Sequence, residues 1–185
     1  MGQDTQTETN DNWLEITINR PEKMNAIREQ TALEILDALD RMDRIQDIRG
    51  VIIAGSAKAF CTGVDTSEQI DNPGENYELW RRRKRTRKVN QLFRAFPEST
   101  KPVIAAVEGY ALGGGFELAL LCDMVVAGEG AKFGLPEAKL GLMPGGAGTQ
   151  TLPRILGKPL AKELIWTGRR LSAEEALAMR VINRI

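Results

Sequence analysis

Residues 101–119 read KPVIAAVEGYALGGGFELA and carry the strongest structural signal in the chain. The first half is a short apolar run, which predicts a buried strand over 101–107. Three successive glycines, Gly113 to Gly115, then lead into an apolar segment that predicts a helix over 114–122. Glycine lets the backbone approach a ligand closely, and the first amides of a helix have no acceptor within that helix. The turn is therefore a candidate site for an anion or a developing oxyanion.

Glu117 follows Gly114 by three residues, so on a helix its carboxylate lies on the same face as the free amides. Two interpretations stay open from this spacing alone. In one, the glycines form a packing turn and Glu117 is a first-turn carboxylate favoured by the helix dipole. In the other, Glu117 and the amides act together on a ligand. Two nucleotide-binding loops are disfavoured, because neither Gly-Lys-Ser/Thr nor Gly-x-Gly-x-x-Gly is formed.

Outside this segment, short apolar strands alternate with amphipathic helices, which predicts an α/β fold. Further strands are predicted at 13–18, 50–55 and 123–127, and helices at 28–46 and 76–96, with more helices and glycine-rich turns ending near residue 180. Residues 56–75 are predicted to be irregular. Residues 1–12 are polar and lack periodicity, which predicts a flexible N-terminal tail ahead of a single core over 13–185.

The composition of the 185 residues narrows the chemistry. The chain has 25 basic and 25 acidic residues and no histidine. This excludes Ser-His-Asp and Cys-His nucleophile systems and imidazole zinc sites, so proton transfer must depend on carboxylates, Lys, Tyr or Cys. Cys61 and Cys122 are too few for a disulfide scaffold, which indicates a reducing compartment. Without an apolar run long enough for a membrane span or a signal region, the sequence predicts a cytoplasmic protein.

A second glutamate, Glu137, lies in the segment FGLPEAKLG over residues 133–141, a turn bounded by proline and glycine. Taken alone, it is a surface or capping carboxylate. Paired with Glu117 near free backbone amides, it becomes a candidate acid/base partner. Two carboxylates held close together have separated pKa values, which lets one act as base and the other as acid.

Several motifs, in matching order and spacing, resemble the enoyl-CoA hydratase/isomerase (crotonase) family. They are FCTGVD at 60–65, the segment 101–119, FGLPE at 133–137 and PGGAGT at 144–149. NRPEKMNA at 19–26 and TGRRLSAEEA at 167–176 are also typical of the family. The resemblance extends over nearly the whole chain from Trp13 and is closest to an enoyl-CoA hydratase.

The resemblance implies a crotonase-like spiral of ββα units that cradles an acyl-CoA thioester. It implies an oxyanion hole formed by the backbone amides of Val64 and Gly114. In a hydratase of this family, Glu117 would act as base toward the water that adds to Cβ. Glu137 would be the acid associated with protonation of Cα. Isomerases of the family can work with only the later glutamate, so the presence of Glu117 favours a hydratase.

The resemblance also implies a set of substrate contacts and no cofactor, since coenzyme A enters as part of the substrate. A basic residue at position 23 could reach a phosphate of coenzyme A, with a solvated lysine as the alternative. The implied substrate-binding residues are Lys23, Asn25, Ala26, Ala59, Cys61, Gly63, Asp65, Gly113, Pro136 and Gly145.

The chain departs from the family pattern at several positions. Val64 is bulkier than the usual small residue, Thr66 replaces an aliphatic residue, Ala147 interrupts a glycine pair and Thr151 replaces a common arginine. Members also continue past the equivalent of Ile185 into helices that help to form trimers. We therefore expect a fold that lacks most of this C-terminal helical region. A homotrimer or hexamer is expected where those helices exist in the full gene product.

Residues 81–88 read RRRKRTRK, which is a basic run able to neutralise nucleic-acid phosphates. An apolar stripe formed by Trp80, Val89, Leu92, Phe93 and Phe96 instead favours a solvated amphipathic helix. The leading hypothesis is an enoyl-CoA hydratase. The alternatives are a Δ3-Δ2-enoyl-CoA isomerase, an acyl-CoA hydrolase, or a catalytically weak module that binds CoA or RNA.

Overall fold

The computed structural model describes residues 2–56, 58–67 and 87–185. Strands and helices alternate along these ranges, which confirms the predicted α/β class. In chain order the strands are β1 (Thr5–Asn10), β2 (Trp13–Ile18), β3 (Gly50–Gly55), β4 (Ala59–Cys61), β5 (Val103–Val107), β6 (Tyr110–Leu112), β7 (Met124–Ala127), β8 (Lys132–Gly134) and β9 (Arg170–Ser172). The helices are α1 (Glu29–Asp43), α2 (Arg87–Ala95), α3 (Gly114–Leu121), α4 (Gly148–Leu156), α5 (Lys158–Thr167) and α6 (Ala173–Ala178).

The larger sheet has the strand order β1-β2-β3-β5-β7. Four of its five strands, β2, β3, β5 and β7, run parallel, and their apolar side chains supply much of the core. The strands predicted at 13–18, 50–55, 101–107 and 123–127 are all confirmed, with boundaries within two residues.

The prediction of a flexible tail over residues 1–12 is wrong for residues 5–10. These residues form β1, which pairs antiparallel with β2 from Thr5 opposite Ile18 to Asn10 opposite Trp13. Asp11 and Asn12 make the turn with φ of 46° and 67°, a conformation that Asp and Asn tolerate in tight hairpins. The strand lies at the sheet edge and its side chains are mostly exposed, so it lacks the apolar alternation on which the prediction depended.

The smaller sheet has the order β4-β6-β8-β9 and consists of three-residue strands. β4, β6, β8 and β9 are not predicted from the sequence, because three residues are too few to show a period of two. β4, β6 and β8 run parallel, and β9 pairs antiparallel with β8. The ends of these short strands lead directly into the segments that form the candidate site.

The helices at 28–46 and 114–122 are confirmed as α1 and α3. Of the helix predicted at 76–96, the structure confirms the part that α2 covers, and its residues Val89, Leu92 and Phe93 are buried as expected. Residues 76–86 of that prediction, and with them most of the basic run, lie outside the described residues. No helix in the described ranges combines the length and apolar character needed to cross a membrane.

Aromatic packing in the core and close backbone contacts fix the position of the start of α3. Phe116 of α3 and Phe133 of β8 are almost completely buried, with ring centroids 5.4 Å apart. Gly115 lies so close to β4 that a Cβ there would be 2.1 Å from the carbonyl oxygen of Cys61. The backbone N–H of Gly113 donates to the carbonyl of Gly134 at 2.9 Å. The glycine turn is thus packed between β4 and β8, which fixes the direction of the first amides of α3.

Candidate active site

A cleft of about 660 Å³ opens at the start of α3. Parts of the chain that are far apart in sequence form its walls. They are the loop after β2, the loop after β4, the helix α2 and the turns that follow β8. The lining residues are Lys23, Ala26, Thr62, Gly63, Val64, Asp65, Thr66, Ser67, Val89, Asn90, Phe93, Gly113, Gly114, Glu117, Pro136, Glu137, Leu140, Leu142, Gly145 and Gly146.

Val64 and Gly114 both line this cleft and lie next to each other, since a Cβ at Gly114 would be 3.4 Å from Val64 Cγ2. Gly63 has φ of 109°, and a Cβ on it would lie 3.3 Å from the amide nitrogen of Gly114. Val64 forms a parallel bridge with Ile27. The hydrogen bonds of this bridge are made by the residues on either side of Val64, since Gly63 accepts from Ile27 N and Asp65 N donates to the Ile27 carbonyl. Within the described part of the chain, neither the Val64 amide nor the Gly114 amide donates to a backbone oxygen. The pair is therefore available to a ligand oxygen.

Glu117 is buried on the first turn of α3, with 2% of its surface exposed. Its carboxylate accepts hydrogen bonds from three successive amides: Gly146 at 2.9 Å, Ala147 at 3.1 Å and Gly148 at 2.7 Å. These amides belong to the N-terminus of α4, where backbone donors lack partners within the helix. The contacts hold the Glu117 carboxylate in one position at the edge of the cleft.

The loop before α4 leaves no space for larger side chains around Glu117. A Cβ at Gly146 would lie 2.7 Å from Glu117 Oε2, and one at Gly148 would lie 3.0 Å from Oε1. Ala147 between them adopts φ of 129°, a conformation that favours glycine. The departure from the family's glycine pair therefore places an alanine in a strained conformation next to a candidate catalytic residue.

Glu137 approaches the same glycine turn from the opposite side. It lies in the 3-10 turn Pro136–Leu140, which starts with a proline and ends at Gly141 with φ of 69°. A Cβ at Gly113 would be 3.1 Å from Glu137 Oε1. Oε2 is buried and has no hydrogen-bond partner among the described residues.

The environment of Glu137 favours its protonated form. Burial raises its pKa above the ordinary value of 4.5; a backbone hydrogen bond opposes this change, and the nearby charge of Glu117 adds to it. The two glutamates therefore differ: the Glu117 carboxylate accepts several amides, whereas the Glu137 carboxyl has an unpaired oxygen and a raised pKa.

The structure brings most of the predicted site residues into the cleft. The predicted residues that line it are Lys23, Ala26, Gly63, Val64, Asp65, Gly113, Gly114, Glu117, Pro136, Glu137 and Gly145. Although Asp65 lines the cleft, its side chain is only 6% exposed and forms an ion pair with Arg20.

Three predicted substrate-binding residues, Asn25, Ala59 and Cys61, lie behind the cleft wall instead. Asn25 is completely buried, and its side chain accepts from the backbone of Arg20 and donates to the carbonyls of Ser56 and Ala59. Burial raises the pKa of Cys61 to about 12. These residues hold loops in place and do not face the cleft.

One wall of the cleft, formed by α2 and by the turn after Glu137, is not predicted from the sequence. Val89 and Phe93 were assigned to the core, and only their position beside the cleft shows a second role. The Phe93 ring would lie 3.3 Å from a Cβ at Gly114 and 2.8 Å from one at Gly146. Leu140 and Leu142, both largely exposed, extend the apolar lining.

The described residues contain no group of three or more cysteine, aspartate or glutamate side chains placed to hold a metal ion. The cleft lining includes the carboxyl groups of Glu117 and Glu137, the residues Val64 and Gly114 with their free amides, and an apolar wall.

Comparison with known proteins gives the same family over nearly the whole chain. The sequence model of the family described as enoyl-CoA hydratase/isomerase matches residues 8–185. The chain is 41% identical over 176 residues to a probable enoyl-CoA hydratase of Mycobacterium tuberculosis, covering 92% of this chain and 63% of that protein. It is 41% identical over 169 residues to a crotonyl-CoA hydratase of Syntrophomonas wolfei, covering 91% of this chain and 63% of that protein.

Solved structures agree with the sequence comparison. An enoyl-CoA hydratase from Bacillus anthracis superposes with a TM-score of 0.90 at 36% identity, covering 98% of this chain and 69% of that chain. One from Thermoplasma volcanium superposes with a TM-score of 0.88 at 30% identity, covering 98% of this chain and 71% of that chain. The chain thus spans less than two thirds of the length of the mycobacterial and Syntrophomonas relatives.

Proposed function

The chain belongs to the enoyl-CoA hydratase/isomerase family and has the crotonase-like fold, and from this premise we propose that it adds water across the 2,3 double bond of an enoyl-CoA thioester. The observation that carries the proposal is the placement of two carboxyl groups around one glycine turn. Glu137 lies against Gly113 of this turn, and Glu117 is in the first turn of the helix that the turn starts.

In the proposed reaction, the amides of Val64 and Gly114 hold the thioester oxygen. Negative charge builds up on this oxygen as the double bond is attacked and an enolate forms. Donors that are already positioned stabilise such charge without further reorganisation, and each contributes about 10²–10³-fold to the rate in comparable sites. The packing of Gly63 against the nitrogen of Gly114 supports a common target for the two donors.

The two glutamates take different roles in the proposed hydration. The water oxygen forms a bond to Cβ while one water proton passes to the Glu117 carboxylate. Cα receives its proton from the Glu137 carboxyl, whose raised pKa favours the protonated form that this step needs. The proton on Glu117 then returns to Glu137 through solvent, so the net reaction consumes one water molecule.

In the proposed complex, the acyl group and the coenzyme A arm of the substrate contact different walls of the cleft. The apolar side chains of Val89, Phe93 and Leu142 would contact the acyl group. Lys23 and Ala26, on the opposite side, would lie along the coenzyme A arm. Besides the thioester, the proposed reaction takes only water as a substrate. The hydratase names of the relatives from Mycobacterium and Syntrophomonas support this substrate class.

Loss of the conjugated thioester absorbance with crotonyl-CoA tests the proposal. The unmodified chain is expected to remove this absorbance, and Glu117→Gln and Glu137→Gln are each expected to slow it by about 100-fold or more. Glu129→Gln is the matched control, since Glu129 is exposed and does not line the cleft. Equal rates in all four proteins would overturn the two-glutamate mechanism. A rise in conjugated absorbance from a 3-enoyl-CoA, without loss from crotonyl-CoA, would instead favour the isomerase.

A further inference from the structure

A cluster of buried charges lies beside the cleft, with Asp65 in the cleft lining, and the proposed mechanism does not use it. Arg20 and Asp65 are each 7% exposed, and Asp4, at the N-terminal end of the chain, is 2% exposed. Burying charges is costly unless they are paired and hydrogen bonded. The hydrogen-bond partners of Arg20 show which backbone segments this cluster holds together.

Arg20 connects the two segments that carry the Val64 bridge. Its Nη1 donates to the carbonyl of Ala26 at 2.5 Å, and its Nη2 donates to Asp65 Oδ2 at 3.0 Å. Ala26 directly precedes Ile27, and Asp65 directly follows Val64. A single guanidinium therefore holds both sides of the bridge between Ile27 and Val64.

The bridge itself determines where the Val64 amide points. Ile27 N donates to the carbonyl of Gly63 and Asp65 N donates to the carbonyl of Ile27, each at 2.8 Å. Because alternate residues of an extended segment point their backbone N–H groups in opposite directions, these bonds direct the Val64 N–H away from Ile27 and toward the cleft. Any loosening of the bridge would move this donor.

Asp4 fixes the guanidinium from its other side. Its Oδ2 lies 3.7 Å from Arg20 Nε, and its carboxylate also accepts hydrogen bonds from Arg28 and Thr31 of 2.6–2.7 Å. Arg20 is thus held by Asp4, Ala26 and Asp65 together. An arginine with a planar fork of donors suits this role better than a lysine.

We propose that Arg20, held by Asp4, is a positioning residue that sets the Val64 amide in the oxyanion hole through its bonds to Ala26 and Asp65. The inference rests on the proposed function, because it assumes that the Val64 amide binds the thioester oxygen. Arg20 does not line the cleft, so it acts on the reaction only through Val64.

The test uses Arg20→Gln, Arg20→Lys and Asp65→Asn in the full chain, with Arg44→Gln as matched control. Arg44 also pairs with an aspartate, Asp40, but both side chains are more than half exposed. Two quantities are measured: kcat and KM for crotonyl-CoA hydration, and the carbonyl stretching frequency of bound butyryl-CoA. This saturated thioester cannot be hydrated, and hydrogen bonds to its carbonyl lower that frequency.

We expect Arg20→Gln and Asp65→Asn to lower kcat about tenfold, less than complete loss of one donor, while KM changes less than about threefold. Both variants should also lose part of the frequency shift. Arg20→Lys should recover part of it, and Arg44→Gln should match the unmodified chain. If Arg20→Gln does not fold, Asp65→Asn decides the outcome, because it keeps the shape of the side chain.

The outcomes separate this inference from the proposed function. A full frequency shift and unchanged kcat in Asp65→Asn and in any folded Arg20 variant would overturn the inference and leave the function intact. Loss of butyryl-CoA binding together with kcat would show a purely structural role and would also overturn it. No shift in the unmodified chain would overturn the oxyanion hole itself, and the inference with it.

Discussion

Glu117 Oε1 lies 2.7 Å from the amide nitrogen of Gly148, so the carboxylate that borders the cleft also caps the N-terminus of α4. The Glu117 side chain is thus a candidate catalytic group and also connects α3 to the start of α4. We therefore expect changes at Glu117 to affect both activity and stability, and changes at Glu137 to affect activity without lowering stability at neutral pH.

Glu117→Gln should lower the free energy of unfolding by about 1–2 kcal/mol, because its neutral amide oxygen accepts more weakly than a carboxylate from the three amides, and its NH2 cannot replace Oε2 as an acceptor for Gly146. The measurement is urea denaturation of the variant beside Glu129→Gln, which changes an exposed glutamate. Identical midpoints for the two variants would show that the cap contributes nothing.

Glu137→Gln should remove activity without lowering stability at neutral pH. Its folded-state pKa is raised above 4.5, so the folded state binds this proton more tightly than the unfolded state does. Stability contributed by the protonated form is therefore present below pH 4.5 and is lost as pH rises through the folded-state pKa.

Urea denaturation of Glu137→Gln and the unmodified chain at pH values below and above this range checks the sign. The variant should lose less stability between the two pH values than the unmodified chain. The same loss in both proteins would mean that folding does not raise the pKa of Glu137.

Ala147→Gly should raise the free energy of unfolding by about 1 kcal/mol. Relief of the conformation with φ of 129° contributes about 1–3 kcal/mol, and the added freedom of glycine in the unfolded chain offsets about 0.5–1 kcal/mol. Thermal denaturation measures the change. Ala178→Gly, at an exposed helical position, is the control and should destabilise.

Gly113→Ala should lower activity by displacing Glu137. Its φ is 53°, and the added methyl group would lie 3.1 Å from Glu137 Oε1. Gly130→Ala is the matched control, because a Cβ there meets nothing within 4 Å. Steady-state hydration rates compare the two; equal rates would mean that the Glu137 carboxyl need not lie against the glycine turn.

The site was predictable where its residues lie close together in sequence. Gly114 and Glu117 share one helical turn, so their proximity follows from spacing, and the strong apolar runs marked β2, β3 and β5. The Arg20–Asp65 pair spans 45 positions and leaves no periodic signal. The same holds for Phe93, whose apolar spacing indicates burial but not which neighbour it contacts.

Edge elements were the hardest to predict from sequence. β1 is polar because it lies at the sheet edge with most of its side chains exposed, and it is held by the turn at Asp11 and Asn12 and by the contacts of Asp4. Asn25 shows the opposite error. It belongs to a family motif, yet its side chain satisfies buried carbonyls, and motif membership alone does not distinguish a ligand contact from a loop support.

Product analysis after reaction of crotonyl-CoA in ¹⁸O-labelled water tests the central claim most directly. The account predicts 3-hydroxybutyryl-CoA with one ¹⁸O at the β-carbon, and at least 100-fold less of it from Glu117→Gln and from Glu137→Gln in the same time. Labelled free acid with released coenzyme A, or labelled hydroxyacyl product formed at equal rates by all three proteins, would contradict it.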